Sequence, residues 1–343
     1  MRHMLWMAVL AACSGEPKPS APASVPATTA AAAVQPAARR INPRLLRRFP
    51  PLGSSMGAPA PAQLVNLGRQ LFYDRRLSRD LDLSCNSCHR LDSYGVDGEV
   101  TSIGANGKRG RRNSPSVFHS AGQFAQFWDG RALTIETQAT MPIFNPDEMA
   151  IASPEVLVAR LRAIPDYLAA FEASFPGGDP VTVENVASAL AAFERGLVTP
   201  SRWDRFLTGD ETALTDREVE GFKVFSDLGC VVCHTGELIG GTSYQRAGAI
   251  EPWPNQTDPG RFEVTNSEAD RMMFKVPSLR NVAKTAPYFH DGSSRTLDGA
   301  VRVMARHQLG VDLSDSETGA VVAWLGSLSG DIPSTYIKEP ALP

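Results

Sequence analysis

The residues with the clearest chemistry are two cysteine pairs, each followed directly by a histidine. Residues 85–89 read Cys-Asn-Ser-Cys-His, and residues 230–234 read Cys-Val-Val-Cys-His. Two thiols at this spacing can add to the two vinyl groups on one edge of a porphyrin, while the adjacent imidazole turns onto the iron. The motif therefore predicts two covalent c-type haems. The predicted attachment thiols are Cys85, Cys88, Cys230 and Cys233, and the predicted iron ligands are His89 and His234.

Paired cysteines also occur in zinc sites and in thioredoxin-like redox motifs. A zinc site usually places its two pairs some tens of residues apart, whereas these pairs begin at residues 85 and 230. A thioredoxin-like motif follows a strand in a βαβ unit. Because neither alternative explains a histidine after both second cysteines, we favour the haem interpretation.

The ligand on the far side of each iron decides what each haem can do. A methionine raises the reduction potential, whereas an open position lets peroxide or oxygen bind. The sequence contains nine methionines, and beyond His3 near the N-terminus the histidines outside the motifs are His119, His290 and His307. Met304 and His307 are one helical turn apart on the same face of a predicted helix, so either could be a ligand.

Helices must position both motifs, and the sequence predicts a similar helix before each one. Leucines between residues 64 and 71 have the spacing of an amphipathic helix. Thr215-x-x-Glu218 is a capping box that starts the corresponding helix before the second motif. The two helices share the pattern Gly-x-x-(Leu or Val)-Phe-x-Asp, at residues 68–74 and 221–227.

Strand patterns are scarce, so we expect a mainly α protein made of two cytochrome c-like domains with long loops. Each domain is predicted to bind one haem, the first over residues 45–199 and the second over residues 200–343, with ordered structure beginning near Pro61. Further helices are predicted at residues 154–175 (bent at Pro165), 183–198, 297–306 and 314–328.

The N-terminus has the pattern of a bacterial lipoprotein signal. Arg2 and His3 precede a short apolar run that ends Leu-Ala-Ala-Cys at residues 10–13. Such a leader is removed before the cysteine, whose thiol takes a lipid. We therefore expect a signal peptide over residues 1–12, lipid on Cys13, an Ala- and Pro-rich tether over residues 13–44, and a periplasmic location. The alternative is a buried apolar segment with an inert cysteine.

The charge pattern lacks the basic patch that is typical of a protein that binds nucleic acid. The formal net charge is −3, and acidic and basic residues are interspersed. The one basic cluster, at residues 108–112, is predicted to be a loop feature. No later stretch is apolar for long enough to span a bilayer.

Several short runs occur in a fixed order around both motifs. In the first half they are Thr-Ser-Ile-Gly at 101–104, Arg-Asn-Ser-Pro-Ser-Val at 112–117, Gln-Phe-Trp-Asp-Gly-Arg-Ala at 126–132, Glu-Thr-Gln-Ala at 136–139 and Asn-Pro-Asp-Glu-Met at 145–149. In the second half they are Val-Pro-Ser-Leu-Arg-Asn-Val at 276–282, Thr-Ala-Pro-Tyr-Phe-His-Asp-Gly at 285–292 and Val-Arg-Val-Met at 301–304. Together they resemble the bacterial di-haem cytochrome c peroxidases over about residues 60–330.

The resemblance implies different roles for the two haems. The first, held by His89, is expected to react with peroxide. The second, held by His234 and Met304, is expected to receive and store electrons. Trp128 matches the tryptophan that lies between the haems in this family, where an indole ring can relay electrons.

The resemblance also implies a calcium site and a catalytic pocket. Asn113, Thr285 and Pro287 match the family's inter-domain calcium ligands, which are the oxygen donors that calcium prefers. Gln138 and Glu148 match the pocket on the far side of the first haem. A carboxyl there can carry a proton from one peroxide oxygen to the other, so that water leaves instead of hydroxide.

One position departs from the family pattern. Many members have a histidine directly after the Ser-Ile-Gly run, on a loop that closes the first haem until the second is reduced. This chain has Ala105 there. Alanine cannot bind iron, so either the first iron stays open or another group, such as His119 or Lys108, replaces the histidine. We therefore expect less need for reductive activation.

The expected activity is the reduction of hydrogen peroxide to two waters with electrons from a small c-type cytochrome or cupredoxin. Family members are homodimers. One alternative is an oxidase that modifies a protein, like the relatives that mature a tryptophan cofactor, but those carry a tyrosine in place of Met304. The other is a non-catalytic electron carrier, which would need both irons closed, and Ala105 argues against that.

Overall fold

The computed structural model describes residues 41–343. Its α-helices in this range are α1 (Pro43–Leu46), α2 (Ala62–Tyr73), α3 (Cys85–Cys88), α4 (Ile135–Phe144), α5 (Pro154–Arg162), α6 (Pro165–Ser174), α7 (Val183–Glu194), α8 (Arg202–Leu207), α9 (Asp216–Asp227), α10 (Phe262–Thr265), α11 (Leu297–Met304) and α12 (Asp315–Gly326). Strands β1 (Tyr244–Arg246) and β2 (Met273–Lys275) pair antiparallel. The predicted mainly α fold is confirmed. The predicted signal peptide and Cys13 lie outside the described residues.

The predicted capping boxes start their helices. At the start of α9, the Thr215 N–H donates to the Glu218 carboxylate at 2.8 Å, and the Glu218 N–H donates to the Thr215 hydroxyl at 3.3 Å. Ser314 and Glu317 make the same pair of bonds at the start of α12. Each pair gives hydrogen-bond partners to two backbone N–H groups that would otherwise lack them at the start of the helix.

The stretch predicted as one bent helix over residues 154–175 is two helices. α5 ends at Arg162 and α6 begins at Pro165, with Ile164 in extended conformation between them. Proline disfavours helical backbone in the residue before it, yet it fits well at the first position of a helix. Pro165 therefore starts a new helix instead of bending one.

Two helix crossings with the same type of close backbone contact organise the described chain. α2 crosses α7, and α9 crosses α12, each at a glycine. A Cβ atom added at Gly68 would lie 1.8 Å from the Ala189 carbonyl oxygen, and one added at Gly221 would lie 1.9 Å from the Ala320 carbonyl oxygen. The backbones therefore touch at both crossings. Four residues after each of these positions an aromatic ring packs across the pair: Phe72 on Phe193, and Phe225 on Trp324.

Each crossing lies inside its own hydrophobic core. The first core includes Leu67, Leu71, Leu157, Tyr167, Phe171, Leu190 and Phe193, all fully or almost fully buried. The second includes Trp203, Phe206, Val219, Phe222, Phe225, Trp324 and Leu328. Both cores belong to one compact unit, and the predicted domain boundary between residues 199 and 200 stays a prediction.

The terminal segments of the described chain pack on opposite cores. Phe49, from the N-terminal segment, lies edge-on against Trp203 and Phe222 of the second core. Ile337, near the C-terminus, is buried in the first core, and the Tyr336 ring stacks on Phe193 at 5.2 Å. The folded body thus begins earlier than the predicted start near residue 61, because residues 41–49 have a core to pack against.

Long loops connect these helices and carry much of the candidate site. Within the described residues, no helix is both long enough and apolar enough to cross a membrane. The basic cluster at residues 108–112 is a loop, as predicted, and its cations have acidic partners: Lys108 with Asp147, Arg109 with Glu99, Arg111 with Glu263, and Arg112 with Asp129 and Asp258.

Candidate active site

The first Cys-x-x-Cys-His motif forms the short helix α3 and the residue after it. The Ser84 N–H donates to the Ser87 hydroxyl at 3.0 Å and closes the start of the helix. His89 follows, and its Nδ1 atom lies 3.3 Å from the Gly95 carbonyl oxygen. Because a carbonyl only accepts hydrogen bonds, Nδ1 is the donor and Nε2 carries the lone pair, as in histidines that bind metals.

The second motif repeats this arrangement with a tighter turn. Residues Cys230–Val232 form a single 3₁₀ turn, which begins after Gly229 in the left-handed conformation. The Nδ1 atom of His234 donates to the Ile239 carbonyl oxygen at 3.2 Å. His234 is buried, so the same bond fixes the ring and again leaves Nε2 free to bind iron.

Burial keeps both motif histidines neutral. It lowers the pKa of His234 to about 4 and also lowers the pKa of His89. Neutral imidazole is the form that ligates a metal. Burial raises the pKa of the Cys230 thiol to about 12, and none of the four motif cysteines forms a disulfide. The residues of both motifs therefore fit a haem with thioether links.

A cavity of about 280 Å³ with mainly apolar walls lies beside the second motif. Cys230, Cys233 and His234 line it together with Met304, the last residue of α11. His307 points elsewhere, since its Nδ1 atom donates to the Glu251 carbonyl oxygen at 3.2 Å. Of the two ligand candidates on this helix, the structure thus brings Met304 to the cavity that His234 lines.

Trp128 lines the same cavity and is bonded to both halves of the chain. Its indole N–H donates to the Asn113 carbonyl oxygen at 2.9 Å. Its own carbonyl oxygen accepts from the Lys275 N–H at 2.7 Å. The indole also lies edge-on to the His290 ring, with centroids 6.3 Å apart. These contacts fix Trp128 between the two halves of the chain, and its place between two haems stays a prediction.

The three predicted calcium ligands also lie around this cavity. Asn113, Thr285 and Pro287 all line it, although 172 positions separate the first and second. The Asn113 side-chain amide donates to the Glu99 carbonyl oxygen at 3.0 Å, which turns its Oδ1 atom away from that contact. Calcium takes amide and backbone oxygens, so the donor types fit the ion.

The predicted catalytic residues come from α4 and the turn that follows it. Gln138 lies in α4, and Glu148 lies in the turn, which folds back so that the Met149 N–H donates to the Pro142 carbonyl oxygen at 3.1 Å. Burial raises the pKa of Glu148, although Arg131 opposes the rise. A carboxyl that holds its proton more tightly than an exposed one is better suited to act as a general base.

Known proteins match this chain over most of its length. The family model for di-haem cytochrome c peroxidase matches residues 62–212. Cytochrome c551 peroxidase from Nitrosomonas europaea is 45% identical over 287 residues, which are 83% of this chain and 85% of that protein. The chain belongs to the di-haem cytochrome c peroxidase family.

Another family member and a solved structure extend the match. Cytochrome c551 peroxidase from Pseudomonas aeruginosa is 43% identical over 294 residues, 84% of each protein. A crystal structure of a MauG-like protein associated with microbial copper homeostasis superposes with a TM-score of 0.72 at 30% identity, covering 85% of this chain and 96% of that one. The di-haem peroxidase fold therefore covers both motifs, and family membership implies two haem cofactors.

The loop that carries Ala105 is packed against the Glu148 turn in this family member. The Ala105 N–H donates to the Glu148 carbonyl oxygen at 2.7 Å, and Ala105 is buried. A Cβ atom at Gly104 would lie 2.1 Å from the Asp147 carbonyl oxygen, so only glycine permits this approach. The loop thus contacts the Glu148 turn through a backbone hydrogen bond, and residue 105 has no ligating side-chain atom.

The two suggested replacements for the missing histidine have other partners. Lys108 is exposed and lies 2.6 Å from the Asp147 carboxylate. His119 is buried, and its Nε2 atom accepts from the Thr199 N–H at 3.0 Å. Burial lowers the pKa of His119 to about 3, so it is a neutral structural residue between the halves. Neither contact favours iron ligation by these side chains.

Sequence reasoning missed two buried groups close to the motifs. Lys275 in β2 is buried on the cavity wall, and its ammonium donates to the Gln123 side chain. Glu194, at the end of α7, is a buried carboxyl whose Oε2 atom lacks a hydrogen-bond partner in the described part of the chain. A residue-by-residue match of α7 with α12 would have singled out Glu194, because α12 has Leu325 at the matching position.

Proposed function

We propose that this protein is a cytochrome c peroxidase that reduces hydrogen peroxide to two waters. Electrons come one at a time from a small c-type cytochrome or a cupredoxin. The observation that carries the proposal is the asymmetry between two otherwise similar motifs. Met304 joins His234 at the second site, whereas Ala105 stands at the first site where many family members have a closing histidine. Relatives at 43–45% identity that carry this name support it.

Both haems are proposed to be covalent c-type haems. Cys85 and Cys88 would hold the first through thioether bonds, and Cys230 and Cys233 the second. His89 and His234 would bind the irons through Nε2, because their Nδ1 atoms are engaged by backbone carbonyls. Once bound, these groups supply the one-electron chemistry and the binding position for peroxide that side chains lack.

At the first site, Glu148 and Gln138 are proposed to handle peroxide. Glu148 takes a proton from one peroxide oxygen and returns it to the other, which leaves as water when the O–O bond breaks. The polar amide of Gln138 orients the peroxide. Burial favours this role for Glu148, because its raised pKa makes the carboxyl a stronger base than an exposed one.

At the second site, Met304 is proposed to be the sixth ligand, and Trp128 to carry electrons towards the first site. A thioether ligand raises the reduction potential, which suits a site that stores an electron. Asn113, whose carbonyl oxygen holds the Trp128 indole, is also proposed as a calcium ligand with Thr285 and Pro287. Calcium would then fix the segment that positions the relay.

Ala105 is proposed to leave the first site accessible without prior reduction of the second. The loop is held by backbone contacts with the Glu148 turn and offers no side-chain ligand. Rapid turnover by the fully oxidised protein is therefore expected.

The location and assembly are proposed from the sequence. Cys13 would carry a lipid after removal of residues 1–12, so that the protein is tethered in the periplasm. A homodimer is expected from the family. The donor would dock near the second haem, where Val232, between the two attachment cysteines, is 71% exposed.

One experiment tests the catalytic proposal. The fully oxidised and half-reduced proteins are compared by absorption and electron paramagnetic resonance spectroscopy, and peroxide turnover is assayed at each stage. The proposal expects a high-spin, five-coordinate first haem and turnover in the oxidised protein. Only low-spin, six-coordinate iron with no turnover in either state would overturn it and favour an electron carrier instead.

A further inference from the structure

A buried carboxyl near the first motif has no part in the proposed mechanism. Glu194 is the last residue of α7, and 5% of its surface is exposed. Its Oε2 atom has no hydrogen-bond partner among residues 41–343. An ionised carboxylate in such a place is unfavourable unless a charge compensates it. Glu194 is therefore placed to respond to any charge that changes nearby.

The internal repeat indicates what Glu194 faces. The two glycine crossings match residue by residue, and the matched pairs are Ala189 with Ala320, Phe193 with Trp324 and Glu194 with Leu325. Leu325 is buried and lines the cavity beside His234. By the same register, residue 194 corresponds to a cavity-lining position of the second half, with an acid in place of a leucine.

The electrostatics of the first motif agree with this position of Glu194. Burial raises the pKa of the Cys85 thiol, and the Glu194 carboxylate adds to the rise. Such an effect needs the two groups to be close in a region without screening water. Cys85 is the first attachment thiol, so the carboxyl lies within electrostatic range of the haem edge that this thiol would hold.

The charged groups around Glu194 only partly offset its burial, because Arg195 favours the carboxylate whereas Glu136 opposes it. Arg195 is the nearest cation along the chain, but its guanidinium is paired with Glu136 of α4. The Ser120 hydroxyl is the neutral neighbour that favours the carboxylate. Burial dominates over these effects and raises the pKa of Glu194 to about 8. Besides burial, Arg195, Glu136 and Ser120 shift the pKa of Glu194, and Glu194 in turn affects Cys85 on α3.

We propose that Glu194 is a proton site coupled to the oxidation state of the first haem. The proposal rests on the haem assignment above. Removing one electron from the iron adds a positive charge nearby, which favours the carboxylate, so the O–H bond of Glu194 breaks and one proton passes to solvent. The electron goes to peroxide during turnover or to an electrode in a titration. Reduction returns one electron and one proton.

The test is a pH series of redox titrations of the haem-loaded protein. At a fixed potential near neutral pH, the ratio of oxidised to reduced first haem should rise about tenfold per pH unit in the parent protein. In Glu194→Gln and Glu194→Leu the ratio should become independent of pH over this range. Leucine is the matched control residue, because the second half carries it at this position. The second haem should be unchanged in both variants.

Glu148 also has a raised pKa near this haem, so a Glu148→Gln variant is titrated in parallel. The proposal expects the tenfold dependence to persist in Glu148→Gln. It is overturned if the dependence survives in the Glu194 variants or disappears in Glu148→Gln. Haem content from the pyridine haemochrome assay separates these outcomes from a failure of the haem assignment itself.

A second measurement needs no variant. Infrared difference spectra of the parent protein, oxidised minus reduced, should lose a carboxylic acid C=O band when the first haem is oxidised. If no carboxylic acid band changes, the proposal is wrong even where the variants fail to fold. Neither measurement depends on peroxide turnover, so the proposed activity and the proton coupling can fail separately.

Discussion

The glycines at the two helix crossings give the sharpest test of the fold. A methyl group at Gly68 would lie 1.8 Å from the Ala189 carbonyl oxygen and 2.6 Å from the carbonyl carbon. Since a comfortable C···O contact is about 3.3 Å, the helices would have to separate by roughly 1.5 Å. Both atoms are backbone, so no rotamer change can relieve the clash.

The cost follows from this displacement. A gap of 0.5–1 Å already forfeits a quarter to a half of the dispersion energy between facing atoms, and overpacking alone costs about 1–3 kcal/mol. We therefore expect Gly68→Ala to lower the free energy of unfolding by about 3 kcal/mol or more. Gly221→Ala should cost a similar amount, because its contact with Ala320 is almost the same.

Thermal unfolding of the haem-loaded protein, followed by circular dichroism, measures the loss of stability. Haem absorption spectra show which half of the protein is affected. Gly68→Ala should perturb the first haem and Gly221→Ala the second. Gly326→Ala is the matched control, because a Cβ atom at this helix end meets nothing within 4 Å. It should be neutral or stabilise by up to about 1 kcal/mol. If all three variants melt alike, the close crossings do not organise the fold.

Three further predictions follow. Glu148→Gln should lower peroxide turnover by roughly 10²- to 10⁴-fold in a stopped-flow assay. Burial raises the pKa of Glu148, and the base must be ionised to act. In the parent protein, kcat/KM should therefore fall as the pH drops through a value above the ordinary glutamate pKa of about 4.3. Arg280→Met should destabilise the protein by about 3–5 kcal/mol in urea unfolding, because it leaves the Asp204 carboxylate, 2.6 Å away, buried without its cation. The control Arg217→Met removes an exposed side chain and should have little effect. Tyr336→Phe should cost about 1 kcal/mol in the same assay by removing its bond to the Phe193 carbonyl oxygen.

The motifs were predictable because their chemistry is local. Cysteine spacing and the adjacent histidine specify a haem site without reference to the rest of the chain. Helix starts were equally local, and Thr215 with Glu218 behaves as predicted. α4 was not predicted, because Pro142 near its end and a weakly amphipathic sequence hide its helical character. Its start depends on the Thr134 hydroxyl, which accepts from the Thr137 N–H at 3.1 Å.

Long-range contacts escaped prediction for a different reason. The pairing of Arg280 with Asp204 and the burial of Glu194 depend on segments distant in sequence that meet only in the folded chain. Periodicity predicts which face of α7 is buried, but it does not predict that the carboxyl of Glu194 at the end of α7 is buried as well. The family resemblance supplied Trp128 and Met304, whose positions on the cavity the sequence pattern alone would not give.

The terminal segments of the described chain each pack on the core of the other half, which affects when each core can fold during synthesis. The first core contains Ile337, and the Tyr73 hydroxyl and the Arg76 guanidinium donate to the carbonyl oxygens of Ile337 and Pro343. The ribosome synthesises residues 337–343 only after the helices of the second core. The N-terminal half therefore lacks part of its core, with its first Cys-x-x-Cys-His motif already made, until these residues are synthesised. Cutting the gene near residue 199 would yield two fragments that each lack a piece of their own core, and synthesis that stops before residue 337 would leave the first core incomplete.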